Sequence, residues 1–412
     1  MRTRRKAKDV DTAKAQKLIE VGGLSSALPS TTPNSPATVT GGRLPLELYG
    51  HIISVVDLPS TLRQICLVCK FFCSEGRRRL YHEVDLPMRH ISPFAWTVAN
   101  NPHIARRVRS ITITLPSQMM SMNNSQGKDI VAIVLQSLTE LENLDIYGQS
   151  RIQLQKLLDV TSPHLKRFRS SVYICQEVFD SLASRPGLRE LVVPDSYPGF
   201  QPVVPEVFLP RLEILCLPMC LAHHITKMNC PLTHLAIDLT PYRDLESIVP
   251  GIISHFGGTL QNLSLVRLAP TQVHRLCPMI DLISEFAADV PKLRFLTISV
   301  CEPLPLKYLQ RIETTNWKSF EALETLVWFA EDGVDVARNA LAIPMMAQDS
   351  VYIGEKFANA VYGTCAALTR FIFVNESKDF AGYRLGNDGA RYELTDLVDV
   401  EPYIAPRAWR KV

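Results

Sequence analysis

The amino-acid sequence predicts an α/β chain in which a short all-α segment is followed by an irregular solenoid of strand–helix units. Apolar residues recur at helical spacing from residue 44 to residue 81, and a Leu-x-x-Leu-x-Leu pattern with substitutions then recurs ten times between residues 108 and 373. A stretch made mostly of Gly, Ser, Thr, Pro and Asn, residues 22–42, precedes both. The 412 residues are enough for two or three domains.

The first 42 residues form a predicted disordered tail. The stretch from Gly22 to Gly42 is too poor in apolar side chains to offset the entropy lost on ordering. Basic residues cluster near the start: Arg2, Arg4, Arg5, Lys6 and Lys8. The cluster fits either a solvated tail or a nuclear import signal.

Residues 43–86 are predicted to form about three short helices. Pro45 suits the first turn of a helix, where its missing N–H leaves no hydrogen bond unmade. Asp57 to Ser60 break this helix. Two apolar sets at helical spacing flank the break: Leu44, Leu48, Ile52 and Val55 before it, and Leu62, Ile65, Cys69 and Phe72 after it.

This segment resembles an F-box. The resemblance rests on three matching stretches in the right order: Leu44-Pro45-x-Glu47-Leu48-x-x-x-Ile52, Val68-Cys69-Lys70-x-Phe72 and Leu80-Tyr81. It implies a Skp-type adaptor as partner and, through it, a cullin. The residues that the resemblance assigns to the adaptor interface or its support are Leu44, Pro45, Leu48, Ile52, Val68, Cys69, Phe72 and Leu80. The segment also holds more apolar surface than three short helices can bury, which favours a partner over packing against the first repeat alone.

The repeating pattern predicts a strand at each occurrence. Its ten first positions are Val108, Leu141, Leu165, Leu188, Leu212, Leu232, Leu260, Leu293, Leu323 and Leu368, spaced 20 to 45 residues apart. Amphipathic helices are predicted between several of them, most clearly at residues 245–256 and 178–182. Because one strand–helix unit cannot bury its own apolar face, the units must stack into a single array.

The array is similar to leucine-rich repeats. The consensus places Asn or Cys three residues beyond the last leucine, and here only Cys220 and Cys301 fit. The resemblance therefore implies an irregular horseshoe or arc over residues 87–412, closed by a C-terminal cap.

Residues between the spaced leucines are predicted to line the concave face of the sheet, because side chains alternate along a strand. This face is polar and charged in its N-terminal half and adds apolar residues in its C-terminal half. The residues predicted to bind cargo are Arg167, Arg169, Phe295, Phe329 and Arg370, since aromatic and arginine side chains dominate interface energetics. Two arginines on one strand can bind a carboxylate or a phosphate, so a phosphorylated cargo remains open.

Composition excludes several other classes. The chain carries 44 basic and 41 acidic residues, which gives no reason to expect nucleic acid or a membrane surface as a partner. We expect no secretion signal and find no run long enough to span a bilayer, and the ten cysteines suit reduced thiols in the cytoplasm or nucleus. Cys66, Cys69 and Cys73 fit buried packing better than a metal site, and so does the cluster from Cys216 to Cys230.

No catalytic motif is present, so we expect neither an enzyme nor a cofactor nor a metal. The function implied by the two resemblances is that of a substrate-recognition adaptor in a Skp–cullin–F-box ubiquitin ligase, which binds a protein cargo of unknown identity on the solenoid. The alternative is a scaffold that binds a Skp-type adaptor without delivering cargo for ubiquitin transfer.

Overall fold

In the computed structural model, the described residues are 45–56, 58–115, 125–148, 154–172, 175–193, 203, 208–226, 228–239, 248–267, 278–300, 315–330, 347–374, 380–385 and 391–394. By compactness the chain divides into two units, Met1–Ile52 and Ile53–Val412. The predicted tail, residues 1–42, lies outside the described residues.

Among the residues that the structure describes, three short helices precede the first strand: α1 (Leu46–Ser54), α2 (Pro59–Ile65) and α3 (Lys70–Leu80). Helix α2 has its proline in the first turn, as the sequence pattern requires. Helices α2 and α3 approach closely at Gly76, where an added Cβ atom would lie 2.7 Å from Sγ of Cys66. Only a glycine permits this approach without displacing Cys66.

A single 13-stranded sheet follows, and its strands lie side by side in sequence order. Strands β1 to β11 pair in parallel, and β12 and β13 complete the sheet as an antiparallel hairpin on β11. The strands are β1 (Glu83–Pro87), β2 (Ser110–Thr114), β3 (Asn143–Tyr147), β4 (Arg167–Ser170), β5 (Glu190–Val192), β6 (Ile214–Pro218), β7 (His234–Asp238), β8 (Asn262–Arg267), β9 (Phe295–Val300), β10 (Thr325–Ala330), β11 (Arg370–Val374), β12 (Phe380–Leu385) and β13 (Arg391–Leu394).

Helices lie between most of the parallel strands and bury their apolar sides in the main core. They are α4 (Ile91–Asn100), α5 (Pro102–Ala105), α6 (Ser125–Ser137), α7 (Leu154–Asp159), α8 (Gln176–Ala183), α9 (Met219–Ile225), α10 (Val249–Phe256), α11 (Pro278–Phe286) and α12 (Ala347–Tyr362). The two helices that the sequence predicts most clearly are present: α8 buries Val178, Phe179 and Leu182, and α10 buries Ile252, Ile253 and Phe256 among others.

The predicted strand positions and their alternation are confirmed for all ten motifs. The middle residue of each motif is paired with the middle residue of its neighbours and is at most 2% exposed: Ile111, Leu144, Phe168, Leu191, Leu215, Leu235, Leu263, Leu296, Leu326 and Phe371. All ten first residues of the motifs, from Val108 to Leu368, are fully buried. The described residues therefore form a mixed α/β array with parallel strands β1 to β11, consistent with a leucine-rich-repeat-like solenoid.

An eleventh unit begins the sheet and was not predicted. Val84 and Leu86 on β1 pair with Ile111 and Ile113, and Tyr81 packs against the main core. Tyr81-x-x-Val84-x-Leu86 is thus a further motif, 27 residues before Val108. The F-box resemblance closes at Leu80-Tyr81, and the boundary predicted between residues 86 and 87 falls inside β1.

Candidate partner-binding surfaces

The residues predicted to contact an adaptor differ in exposure. In the first unit, Pro45, Leu48 and Ile52 are exposed, while Leu44 lies outside the described residues. In the second unit, Val68 and Cys69 are exposed. Phe72 and Leu80 are half-buried.

Further apolar side chains of the second unit are exposed beside the predicted ones. Leu67 is 86% exposed, Val68 66%, and Val55 and Leu58 are also open to solvent. Between residues 53 and 80, the described residues that are buried are Ile53, Leu62 and Gly76. We name residues 53–80 the helical segment. The sequence analysis expected this segment to hold more apolar side chains than it can bury. Of the four exposed residues Val55, Leu58, Leu67 and Val68, the F-box resemblance assigned only Val68 to the adaptor interface.

The sheet has a second face, opposite the main core, formed by the residues between the spaced leucines. On β3 to β5 this face carries a network of two carboxylates and two guanidinium groups. Arg169 donates from Nε to Oε1 of Glu190 at 2.6 Å, and its Nη1 lies 3.9 Å from Oδ2 of Asp145. Arg167 reaches Asp145 with Nε at 3.6 Å and donates to Oγ of Ser110 at 3.3 Å. The two predicted cargo-binding arginines are therefore brought together, and they share Asp145.

This network is partly buried and nearly neutral as a whole. Burial alone would lower the pKa of Arg169, but its hydrogen bond to Glu190 and the charges of Glu190 and Asp145 outweigh burial and raise that pKa. Two positive and two negative groups leave no excess charge to attract a phosphate over a large distance. A protein that binds here must replace, or add to, the ion pairs that Arg167 and Arg169 already form with Asp145 and Glu190.

On β7 to β11 the second face carries a buried apolar cluster together with buried polar residues, among them Asn262, Ser264 and Thr325. Ala236, Phe295, Val327 and Ile372 form a cluster separate from the main core, and Ile214, Cys216 and Phe329 pack against it. Phe295, predicted to bind cargo, is 1% exposed and cannot touch a partner while this cluster is covered. Phe329 and Arg370 are half-buried. Thr325 on β10 lies between Arg370 on β11 and Phe295 on β9, because it is paired with both.

A row of polar residues just before the strands was missed by the sequence reasoning. The row consists of His82, Arg109, Glu142, Lys166, Arg189, Glu213, Thr233, Gln261, Arg294, Glu324 and Thr369. From Arg109 onward, the backbone N–H of each residue donates to the backbone carbonyl of the residue before it in this row. Ion pairs join Glu142 to Arg109 at 3.5 Å and to Lys166 at 2.8 Å, and join Arg294 to Glu324 at 2.8 Å. The hydrogen bond from Lys166 lowers the pKa of Glu142.

We call these eleven residues the edge row. From Arg109 onward, each is the residue directly after the first position of a motif, so this row of polar residues could have been found in the sequence.

The cysteines of the described residues are all free thiols. Burial raises the pKa of Cys230 to about 11, so this thiol stays protonated at neutral pH. Within the described ranges, no group of three or more His, Cys, Asp or Glu side chains is placed to hold a metal ion. No helix of those ranges is long and apolar enough to cross a membrane.

No protein-family model matches the chain, and no curated protein matches it. Among solved structures the chain is similar to the leucine-rich repeat-containing protein LegL7 from Legionella pneumophila. The superposition covers 74% of this chain and 88% of that chain, with 10% sequence identity and a TM-score of 0.36.

Proposed function

We propose that the chain is a substrate-recognition adaptor of a Skp–cullin–F-box ubiquitin ligase. The observation that carries the proposal is the set of exposed apolar side chains on the helical segment, above all Leu67 and Val68. Covering a side chain of this size fully is worth about 1.5–3 kcal/mol, so such a group favours association with another apolar surface. The order of the motifs from Leu44 to Tyr81, which resembles an F-box, is the reason to propose a Skp-type adaptor as this partner.

The test is binding of the full chain to a purified Skp-type adaptor, measured by calorimetry. Leu67→Asp and Val68→Asp place a charge in the proposed contact and should each weaken binding roughly 30-fold or more, as expected when a central contact residue is lost. Val203→Asp is the matched control, because Val203 is 76% exposed and lies in the solenoid region. Equal affinities for all three variants and the unchanged chain would contradict the proposal.

The cargo surface proposed here is the charged half of the second face, around Arg167 and Arg169. Both guanidinium groups keep some exposure, 29% for the side chain of Arg167 and 16% for that of Arg169. Because they are paired to Asp145 and Glu190, we propose that the cargo supplies its own donors and acceptors to this network and needs no phosphate.

Ubiquitin transfer separates the adaptor from a scaffold. With cullin and Skp-type adaptor present, the full chain should promote ubiquitylation of a defined set of proteins. Arg167→Gln should remove members of that set while leaving adaptor binding unchanged, and Arg189→Gln in the edge row serves as the exposed-arginine control. A chain that binds the adaptor but promotes no transfer would be a scaffold.

A further inference from the structure

A positively charged surface lies where the exposed side of α3 meets the end of α5. Lys70, Ser74 and Arg77 follow one another at spacings of four and three residues along α3, so they share one face of the helix, and all three are exposed. Arg107, just after α5, donates from Nη1 to the backbone carbonyl of Ser74 at 3.1 Å and so joins two segments 33 residues apart in sequence. We call the positively charged residues of these segments the basic surface: Lys70, Arg77, Arg78, Arg106 and Arg107.

Most of the charge on the basic surface has no acidic partner. Arg78 pairs with Glu75 at 2.9 Å on the same helix. Within the part of the chain that the structure describes, the other four members form no ion pair with an aspartate or a glutamate. Residues 70–109 contain eight Lys and Arg residues against three Asp and Glu residues, a net charge of +5, whereas the whole chain carries +3. This stretch alone therefore has more net positive charge than the complete chain.

The basic surface differs in this respect from the network on the second face. In that network, Arg167 and Arg169 are paired with carboxylates, which leaves no excess charge. Surface guanidinium and ammonium groups that lack a counter-charge attract anions and steer charged molecules toward them. An anionic partner can therefore form ion pairs with four of the five members of the basic surface without displacing an existing ion pair.

We propose that the basic surface binds an acidic segment of another protein. A guanidinium group can bind a carboxylate through two parallel hydrogen bonds, and arginine clusters are a recurring means of recognising acidic motifs. The carboxylate of Glu75 lies beside Arg78 within this surface, so an evenly charged polyphosphate chain would meet repulsion there. A peptide can place a neutral residue opposite Glu75 and acidic residues opposite the arginines. The inference does not depend on the proposed ligase function.

The dimensions of the basic surface suit an extended peptide. Lys70 and Arg77 are separated by seven residues of α3, which is about 10 Å along the helix axis. In an extended peptide, side chains on one side recur at every second residue, about 7 Å apart. Acidic residues at alternate positions of such a peptide can therefore bring two or three carboxylates to the basic surface at once.

Fluorescence anisotropy with the full chain tests this proposal. The probe is a labelled peptide of alternating Glu and Gly, about twelve residues long, and a peptide of alternating Gln and Gly is the neutral comparison. Arg77→Gln combined with Arg106→Gln should weaken binding of the Glu-Gly peptide about tenfold or more, since it removes one charge from each of the two segments. Binding by the unchanged chain should also weaken as salt is raised, because salt screens charges on an exposed surface.

The matched control is Arg211→Gln combined with Lys292→Gln. Both residues are exposed in the solenoid, and the pair removes the same amount of charge. This control should leave the affinity within about twofold of that of the unchanged chain, because charges far from the bound peptide are screened.

Four results would overturn the proposal. Failure of the unchanged chain to bind the Glu-Gly peptide, or equal binding of the Gln-Gly peptide, would show that acidic residues are not recognised. Equal losses for the two double variants would show that only the total charge matters. An oligouridine of similar length that binds more tightly than the Glu-Gly peptide, and loses affinity with Arg77→Gln and Arg106→Gln, would assign the basic surface to nucleic acid instead.

Discussion

The helical segment and the solenoid that follows it are both rich in apolar residues, but they bury them very differently. In the solenoid, the paired leucine positions are at most 2% exposed from Ile111 on β2 to Phe371 on β11. In the helical segment, Leu67 is almost fully exposed and only Ile53 and Leu62 are buried among its large apolar residues.

The difference indicates that the repetition of strand–helix units, more than the content of apolar residues, decides whether an apolar side chain is buried within the chain. Each strand–helix unit presents a face that fits the unit before it, so the same leucine position is covered again and again. The helical segment, which contains α2 and α3, has no second copy of itself to pack against. Its apolar residues therefore indicate a surface for another molecule.

The largest expected effect on stability comes from a core leucine of the solenoid. Leu215→Ala should lower the free energy of unfolding by about 2–5 kcal/mol, because it leaves a cavity at a position 1% exposed. Leu67→Ala in the helical segment should change it by no more than about 0.5 kcal/mol. Chemical denaturation of both variants checks the comparison, and similar losses would show that the helical segment has a core of its own.

Replacing a buried arginine of the solenoid should also cost more stability than replacing an exposed arginine of the helical segment. Arg185 is 6% exposed and donates to the carbonyl oxygens of Leu158, Thr161 and Ser162. These hydrogen bonds join the end of α8 to the end of α7, in two neighbouring strand–helix repeats. Arg185→Met leaves these carbonyls without their donor and should cost about 1–3 kcal/mol.

Arg78→Met in α3 removes an exposed arginine that pairs with Glu75 three residues earlier, and should cost far less than Arg185→Met. Thermal melts of the two variants measure the difference. If Arg185→Met melts at the temperature of the unchanged chain, Arg185 does not hold the two units together.

The carboxylates of the two regions provide a third comparison. Glu190→Gln removes the charged partner of Arg169 on the second face, where both side chains are mostly buried, and should cost about 1–3 kcal/mol. Glu75→Gln in α3 weakens a local pair and should cost about 0.5 kcal/mol or less. Denaturation at neutral pH measures both, and a larger loss for Glu75→Gln would contradict the assignment of the network as a stabilising element.

The smallest effect concerns pH. Burial lowers the pKa of His234 below its usual 6.5, although the charges of Glu190 and Glu213 oppose this shift. Below pH 6.5 the unfolded chain binds a proton more readily than the folded chain does, so stability falls as pH drops toward the lowered pKa. His234→Asn should reduce the loss of stability between pH 7 and pH 5, measured by chemical denaturation at both pH values.

Much of the fold could be predicted because leucine spacing reports the strand register directly. The motif from Leu212 to Leu217 places Leu215 toward the core and Cys216 on the second face, and the pairing of β6 with β7 bears this out. Strand β1 was missed because Tyr81 fills the place of a leucine and was interpreted as the closing residue of the F-box resemblance.

The candidate surfaces could be predicted only in part. Alternation tells which face a side chain occupies, but not what covers that face, so the burial of Phe295 could not be found from its strand. The pairing of Arg167 and Arg169 with Asp145 depends on the register between β3 and β4, which the motifs do contain. The exposure of Leu67 follows from three-dimensional packing alone.

The order of the strands in the sheet, identical to their order in the sequence, has a consequence for synthesis on the ribosome. Each new strand–helix unit from β2 onward emerges when the strand that it pairs with has already been made. The growing chain can therefore fold one unit at a time, at a rate of about 5–20 residues per second, without waiting for distant segments. In an incomplete chain, the growing end exposes the surface of the last strand–helix unit that the next unit will cover. The apolar surface at this end of a nascent chain is therefore that of one unit, while the units made before it are already covered.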